Sequence, residues 1–219
     1  MTTTRSPVER QPLSRVTIVE TAVALADEEG LGALSMRNLA RRLGYEVMSL
    51  YNHVANKDEL LGLMVDQVAA EIGSPPEDSG AFEAARFIAI ATRDSLTRHP
   101  WATPQLLRHM PGPNRIQQME NLLRVLNDSG LSPELAHHGF HAITNHVLGY
   151  TLQEQEMSLG MGADSDPDEV AADFMATVSP EIHPHTIAHV HQHLNGESGS
   201  SFELVLDLII DGLVRLNQE

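Results

Sequence analysis

Residues 35–57 read Ser35-Met-Arg-Asn-Leu-Ala-Arg-Arg-Leu-Gly44-Tyr-Glu-Val-Met-Ser-Leu-Tyr-Asn-His-Val-Ala-Asn-Lys57. Met36, Leu39, Ala40 and Leu43 fall at i, i+3, i+4 and i+7, which makes one apolar helical face. Ser35 stands where an N-cap hydroxyl accepts from a free amide of the first turn. Gly44 follows at once, and glycine alone takes the left-handed helix stop without a Cβ penalty. A second short helix, Glu46 to Val54, buries Leu50 and Val54 and turns polar and small groups outward. The stretch holds Arg37, Arg41, Arg42 and Lys57 against Glu46, whereas the 219-residue chain carries a formal charge of −16. A basic island on an acidic protein, built as two helices around a glycine turn, predicts a helix-turn-helix with its second helix in the DNA major groove.

The charge divides unevenly about this motif. Residues 1–70 hold 7 basic and 9 acidic side chains, and residues 71–219 hold 7 basic and 21 acidic. An acidic second half repels a phosphate backbone, so nucleic-acid contact is expected only in the first seventy residues. With 42% hydrophobic and 20% charged residues the composition is that of an ordinary globular protein. There is no cysteine, hence no disulfide and no thiolate metal site. The first residues lack a signal-peptide apolar core and no run is long enough to span a membrane, so a cytoplasmic protein without membrane partners is expected.

Outward from the motif, residues 1–12 are polar with two prolines and predict a flexible tail. Two readings stand for Arg5 and Arg10: a solvated tail, or a basic arm in a minor groove. Ser14 to Glu29 is a helix with Ile18, Val19, Ala22, Val23, Leu25 and Ala26 inward, stopped by Gly30. Asn56 with Glu59 is a capping-box variant that starts a helix from Lys57 to Gly73. A DNA-binding domain over residues 13–73, with the motif at 35–54, therefore ends at Gly73-Ser-Pro-Pro-Glu-Asp-Ser-Gly80.

Residues 81–219 show no alternating run and predict an all-α second domain, so the fold class is all-α throughout. Helices are expected at 81–98, 101–109, 114–129 and 132–157, with one or two weaker ones between loops at 158–167 and 196–201. Gly139 and Gly149 sit inside the long helix, each about 1 kcal/mol worse than alanine there, a cost that a close helix crossing offsets. In the last helix, 202–216, Glu203, Asp207 and Asp211 lie at i, i+4 and i+8 as one narrow polar stripe, and apolar residues cover nearly everything else. A helix apolar nearly all round is buried on more than one side, so this helix and the 132–157 helix are expected to pair with a second copy of the chain. Gly149, Phe202, Val205, Ile209 and Leu213 are the expected interface.

At residues 34–61 the sequence resembles the signature of the tetracycline-repressor (TetR) family of bacterial transcription regulators, above all in Leu50-Tyr51-x-His53-Val54-x-Asn56-Lys57. His146-Val-Leu-Gly-Tyr-Thr-Leu-Gln-Glu-Gln-Glu156 and the last helix are similar to that family's dimer helices. The resemblance implies a homodimeric repressor on a palindromic double-stranded operator, released when a small-molecule effector binds the second domain. It further implies that Arg37 reaches a base edge or phosphate, and that Val47, Met48 and Ser49 face the groove, the first two offering apolar contact. Tyr51, His53 and Lys57 would hold phosphates, with Asn52 serving either purpose. For Tyr51, packing with the hydroxyl at the rim stays open, and for His53 a cap or core hydrogen bond. Where tetracycline-type proteins contact drug and metal, this chain has Gly73, Leu106, Leu122 and Gln153, with His109 near the Leu106 position. Two leucines and a glycine cannot ligate a drug–magnesium chelate, so a more apolar effector is expected. Leu106, His109, Leu122, His146 and Gln153 are the candidate pocket residues.

Twelve histidines fall largely in two clusters: His137, His138, His141 and His146, then His183, His185, His189, His191 and His193. Spacings of i, i+4 suit metal pairs, which keeps a metal-responsive regulator as a second reading beside a solvated cluster. Since no third ligand is defined, neither a metal nor a cofactor is assigned. A helical enzyme is the remaining class, and no nucleophile motif or phosphate loop commends it.

Overall fold

The computed structural model describes residues 12–160, 167–194 and 201–218, and among these the chain is helical with no strand. The tail at 1–11, with Arg5 and Arg10, lies outside the described residues, as do most of the loops expected at 158–167 and 196–201. Four helices form a head: α1 (Arg15–Glu29), α2 (Met36–Leu43), α3 (Val47–Tyr51) and α4 (Lys57–Ala70). Seven form a body: α5 (Ala81–Arg98), α6 (Ala102–Leu106), α7 (Pro113–Asp128), α8 (Pro133–Gly160), α9 (Pro167–Met175), α10 (Pro184–Leu194) and α11 (Ser201–Leu216). No helix among the described residues is long and apolar enough to cross a membrane.

The expected caps are present. Ser14 Oγ accepts from Thr17 N, and Asn56 Oδ1 accepts from Glu59 N at 2.8 Å while Glu59 Oε2 accepts from Ala55 N at 2.6 Å. The head core is Ile18, Leu25, Leu34, Leu39, Leu50, Val54, Leu60 and Met64, all nearly solvent-free. Two spans differ from expectation. Helix α3 is five residues rather than the nine of 46–54, because after Leu50 the chain turns and Val54 enters the core from beyond the helix end. Helix α4 stops at Ala70 rather than Gly73; there Gln118 of α7 donates to the carbonyls of Ala69 and Ile72, taking up the open end.

Head and body meet along α4, which packs against α5, α6 and α7. Asp66 is a buried residue of α4 whose carboxylate caps a helix of the body. Its Oδ1 accepts from Arg115 N at 2.9 Å, and its Oδ2 from Asn114 N at 3.2 Å and Asn114 Nδ2 at 3.1 Å, so α4 supplies the cap that Gly112 cannot give α7. A Cβ on Gly112 would stand 2.5 Å from Asp66 Cγ. Within the body, α8 crosses α11 closely at Gly139, where a Cβ would stand 2.8 Å from Leu213 Cδ1. The expected offset for a helical glycine thus exists at Gly139. At Gly149 it does not arise within this chain, since nothing lies within 4 Å of a Cβ there.

Candidate nucleic-acid interface and effector cavity

The reading head is assembled by three local devices. Ser35 Oγ accepts from Asn38 N at 3.1 Å and starts α2. Gly44 adopts φ 74° and ψ 30°, and its N–H returns to the carbonyls of Ala40 and Arg41, which closes α2 and reverses the chain. Leu50, fully buried, then fixes the rotation of α3 about its axis. With Leu50 inward, Met48 (73% exposed) and Tyr51 (42% exposed) project from the opposite side, while Val47 is half-buried against the core. Ser49 is half-buried and Asn52, the C-cap of α3, is exposed.

The cations of the basic island divide into two kinds. Arg37 stands exposed on the first turn of α2, and Arg41 turns a guanidinium nitrogen onto Asn38 Oδ1. Arg42 instead bridges to α1, with Nη2 2.5 Å from Glu28 Oε2 and Nη1 3.3 Å from Glu29 Oε1. Lys57 Nζ donates to the Leu34 carbonyl at 2.6 Å, so its ammonium reaches a phosphate only with its remaining protons. His53 is half-buried, and its carbonyl accepts from Arg15 Nε at 3.0 Å. Arg15, outside the quoted motif, also pairs with Glu59 at 3.1 Å. Spacing along 35–57 shows four positive charges, and among the described residues Arg37 and Arg41 of α2 have no acidic partner.

The five candidate effector residues do not converge. Leu122 lines a small cavity of about 60 Å³ between α5, α7 and α8, together with Ile88, Thr92, Ile143, Val147 and Leu148. Leu106 is half-buried, and its carbonyl accepts from Arg115 Nη2 at 2.9 Å. His109 packs over Gly62 at the head–body joint, its Nδ1 4.0 Å from Asp58 Oδ1. His146 Nε2 donates to the Phe202 carbonyl at 2.8 Å and its ring stacks on Phe202 at 4.7 Å. Gln153 is exposed on the outer side of α8. The residues that sequence reasoning missed are polar, in buried or half-buried positions. Among the described residues Thr103 and Thr151 have hydroxyls without a partner, and Arg93 lies over the Phe202 ring at 5.0 Å with its Nε unpartnered. Both Glu154 oxygens accept from Arg93 Nη2, at 2.9 and 3.0 Å. Only a buried, unsatisfied state marks such groups, and sequence does not carry it.

The expected interface residues separate as well. Phe202 and Leu213 are buried in this chain's own core rather than facing outward, because α8 takes up that side of α11. Val205 and Ile209 are partly open, and Leu204 (64% exposed), Leu208 (62% exposed) and Leu216 extend an uncovered apolar strip. Among the described residues no group of three acidic or imidazole side chains could hold a metal ion, so the histidine clusters give no support to a metal-responsive regulator. His137 and His141 meet ring to edge at 4.6 Å, and His183 Nδ1 accepts from Ser179 N.

Comparison with known proteins agrees with this arrangement. Residues 18–64 match the family described as bacterial regulatory proteins, tetR family, and residues 75–216 match the tetracyclin repressor-like C-terminal domain. The chain is 33% identical over 219 residues to the HTH-type transcriptional repressor DrrR1 of Streptomyces coeruleorubidus, covering 95% of this chain and 79% of the relative. It is 32% identical over 148 residues to the class E tetracycline repressor of Escherichia coli, covering 65% of this chain and 69% of the relative. Among solved structures, the TetR-family protein ActR of Streptomyces coelicolor, in complex with actinorhodin, superposes with a TM-score of 0.79 at 32% identity, over 95% of this chain and 100% of ActR. A head whose α2–Gly44–α3 turn presents Met48 and Arg37, joined to a helical body, is thus found in a chain that belongs to the TetR family of ligand-responsive, DNA-binding transcription regulators, which are not enzymes.

Proposed function

We propose that the protein is a cytoplasmic homodimeric repressor that places α3 of each protomer in successive major grooves of a palindromic operator and leaves it when an apolar small molecule enters the body. The observation that carries the reading is the outward side of the head, where Met48, Tyr51, Asn52 and Arg37 are exposed around a buried Leu50. Met48 offers methyl contact to thymine, while Val47 and Ser49 sit at the groove floor's edge. Arg37, Tyr51, His53 and Lys57 hold phosphates and set register. The uncovered strip of α11 and the open Gly149 on α8 support pairing through these two helices, which spaces two heads for a two-fold operator.

The cavity beside Leu122 supports an apolar effector, since its walls are aliphatic apart from the two threonine hydroxyls of Thr92 and Thr144. At about 60 Å³ it is smaller than a drug-sized ligand needs, so entry requires α5, α7 and α8 to part. That parting is transmitted to α4 through Asp66. ActR's complex with actinorhodin supports an organic effector in a body of this shape. The test is selection of duplexes from a random library by the purified protein. A two-fold symmetric consensus, bound with a steep salt dependence that the double variant Arg37→Ala, Lys57→Ala makes shallower by about two charges, is the expected result. An unchanged affinity and salt slope in that variant overturns the interface.

A further inference from the structure

The joint between head and body holds a buried histidine that neither the DNA surface nor the effector cavity uses. His99 follows α5, its side chain is 9% exposed, and its two ring nitrogens face carboxylates on different helices. Nδ1 lies 2.9 Å from Asp27 Oδ1 of α1, and Nε2 lies 3.0 Å from Glu71 Oε2 just past the end of α4. Asp27 Oδ1 also accepts from Trp101 Nε1 at 2.7 Å, and Glu71 Oε2 from Arg98 Nη1 at 2.6 Å. Asp27 from α1, Glu71 from α4 and Arg98 from α5 are the charged groups around the ring, and the Trp101 indole meets it edge-on at 6.1 Å.

Ionised carboxylates only accept, so both ring contacts are hydrogen bonds when both nitrogens carry protons. A neutral ring keeps one of them and turns a lone pair toward the other carboxylate. The contacts do not share the load equally. Ser95 Oγ of α5 donates to the Val68 carbonyl of α4 at 3.1 Å in a buried bond that does not depend on charge, so α4 stays fastened to α5 in either state. Helix α1 is tied to the body through Asp27, which accepts from the Trp101 indole whatever the ring's charge and from His99 Nδ1 only while that nitrogen carries a proton, so loss of that proton removes one of its two donors. Helix α1 in turn carries the reading unit: Arg15 holds the His53 carbonyl, and Arg42 of α2 holds Glu28 and Glu29.

We propose that His99 is a positioning residue whose protonation sets how firmly α1, and with it the reading helix, is held to the body, so that operator affinity falls as the ring loses its proton. A head held by fewer ties must be ordered on binding, and that ordering opposes association. This inference rests on the operator-binding reading, and its test separates the two. The probe is a duplex selected from a random library by wild-type protein at pH 6.5, with affinity read by fluorescence anisotropy from pH 6.0 to 8.5 at constant ionic strength. Wild type is expected to weaken about tenfold across that range, the scale of one charge-assisted hydrogen bond. His99→Gln is expected to weaken several-fold less than wild type across that range, keeping only the dependence that DNA-facing groups such as His53 give both proteins, and to lie near the alkaline wild-type value. Asp27→Asn keeps an acceptor for Trp101 but no charge for the ring, and serves if His99→Gln does not fold; it too is expected to flatten the profile. Profiles parallel to wild type in either folded variant overturn the proposal. If no duplex is selected at all, the operator-binding reading fails instead.

Discussion

At the scale of single residues, Gly112 and Asp66 show how one missing Cβ couples two parts of the molecule. The Asp66 carboxylate occupies the space a side chain at 112 would need, and its three accepted hydrogen bonds start α7. Gly112→Ala must push the carboxylate off that helix end and leave a buried charge short of donors. A loss of roughly 2–3 kcal/mol is expected, read as a lower midpoint in urea unfolding. Retention of wild-type stability would show that α7 is not capped from α4. Ser35, Gly44 and Leu50 were legible because each acts on amides or side chains within one turn of itself. Asp66 was not, because its partners lie 48 and 49 residues away and an aspartate on a helix ordinarily faces water.

At the scale of elements, helix spans followed from periodicity and punctuation wherever a helix ends on its own residues. Helix α5 matches its expected span of 81–98, while α3 ends early because Val54 reaches the core through a turn rather than along the helix. Helix α11 was read as apolar on more than one side, and it buries Phe202, Leu206, Ile210 and Leu213 on one side while Leu204, Leu208 and Leu216 stay open on another. Which of its residues face which way depends on where α8 lies, and composition does not show that. The division makes a clean experiment. Leu208→Asp places a charge on the open side, so the folded chain should persist as monomers in sedimentation at micromolar concentration. Leu206→Asp, on the buried side, should unfold it by several kcal/mol, as an unpaired buried charge does. A dimeric Leu208→Asp protein removes α11 from the proposed interface.

At the scale of the whole molecule, charge separates two tasks. The acidic body repels a phosphate backbone, so encounters with DNA favour the head. The cavity beside Leu122 was the least legible part of the sequence, because it is made by residues 20 or more apart in the chain, such as Ile88, Leu122 and Ile143. Acid should loosen the joint between head and body. Burial pushes the Glu71 carboxyl up, but hydrogen bonds and positive charge from His99 and Arg98 outweigh it and hold the group below its ordinary value of 4.5. A carboxylate lowered in the folded state adds stability above its unfolded value, and loses it as pH falls through the folded one. Thermal unfolding between pH 5 and 3 should therefore fall more steeply for wild type than for Glu71→Gln, beyond the repulsion common to both. Equal slopes would mean that Glu71 gains nothing from its neighbours.

The cap that α4 provides for α7 also sets the character of any motion between them. Its hydrogen bonds reach 2.9 to 3.2 Å, and an added separation of about 1 Å would break them without giving the buried carboxylate any water in exchange. A tilt of α4 that parts these groups is therefore uphill from the arrangement seen, as expected of an element that switches between stations instead of swinging freely. A regulator built on such a detent answers its effector as a threshold in each molecule. Graded responses across a population then arise from how many molecules have clicked over, and not from how far each has moved.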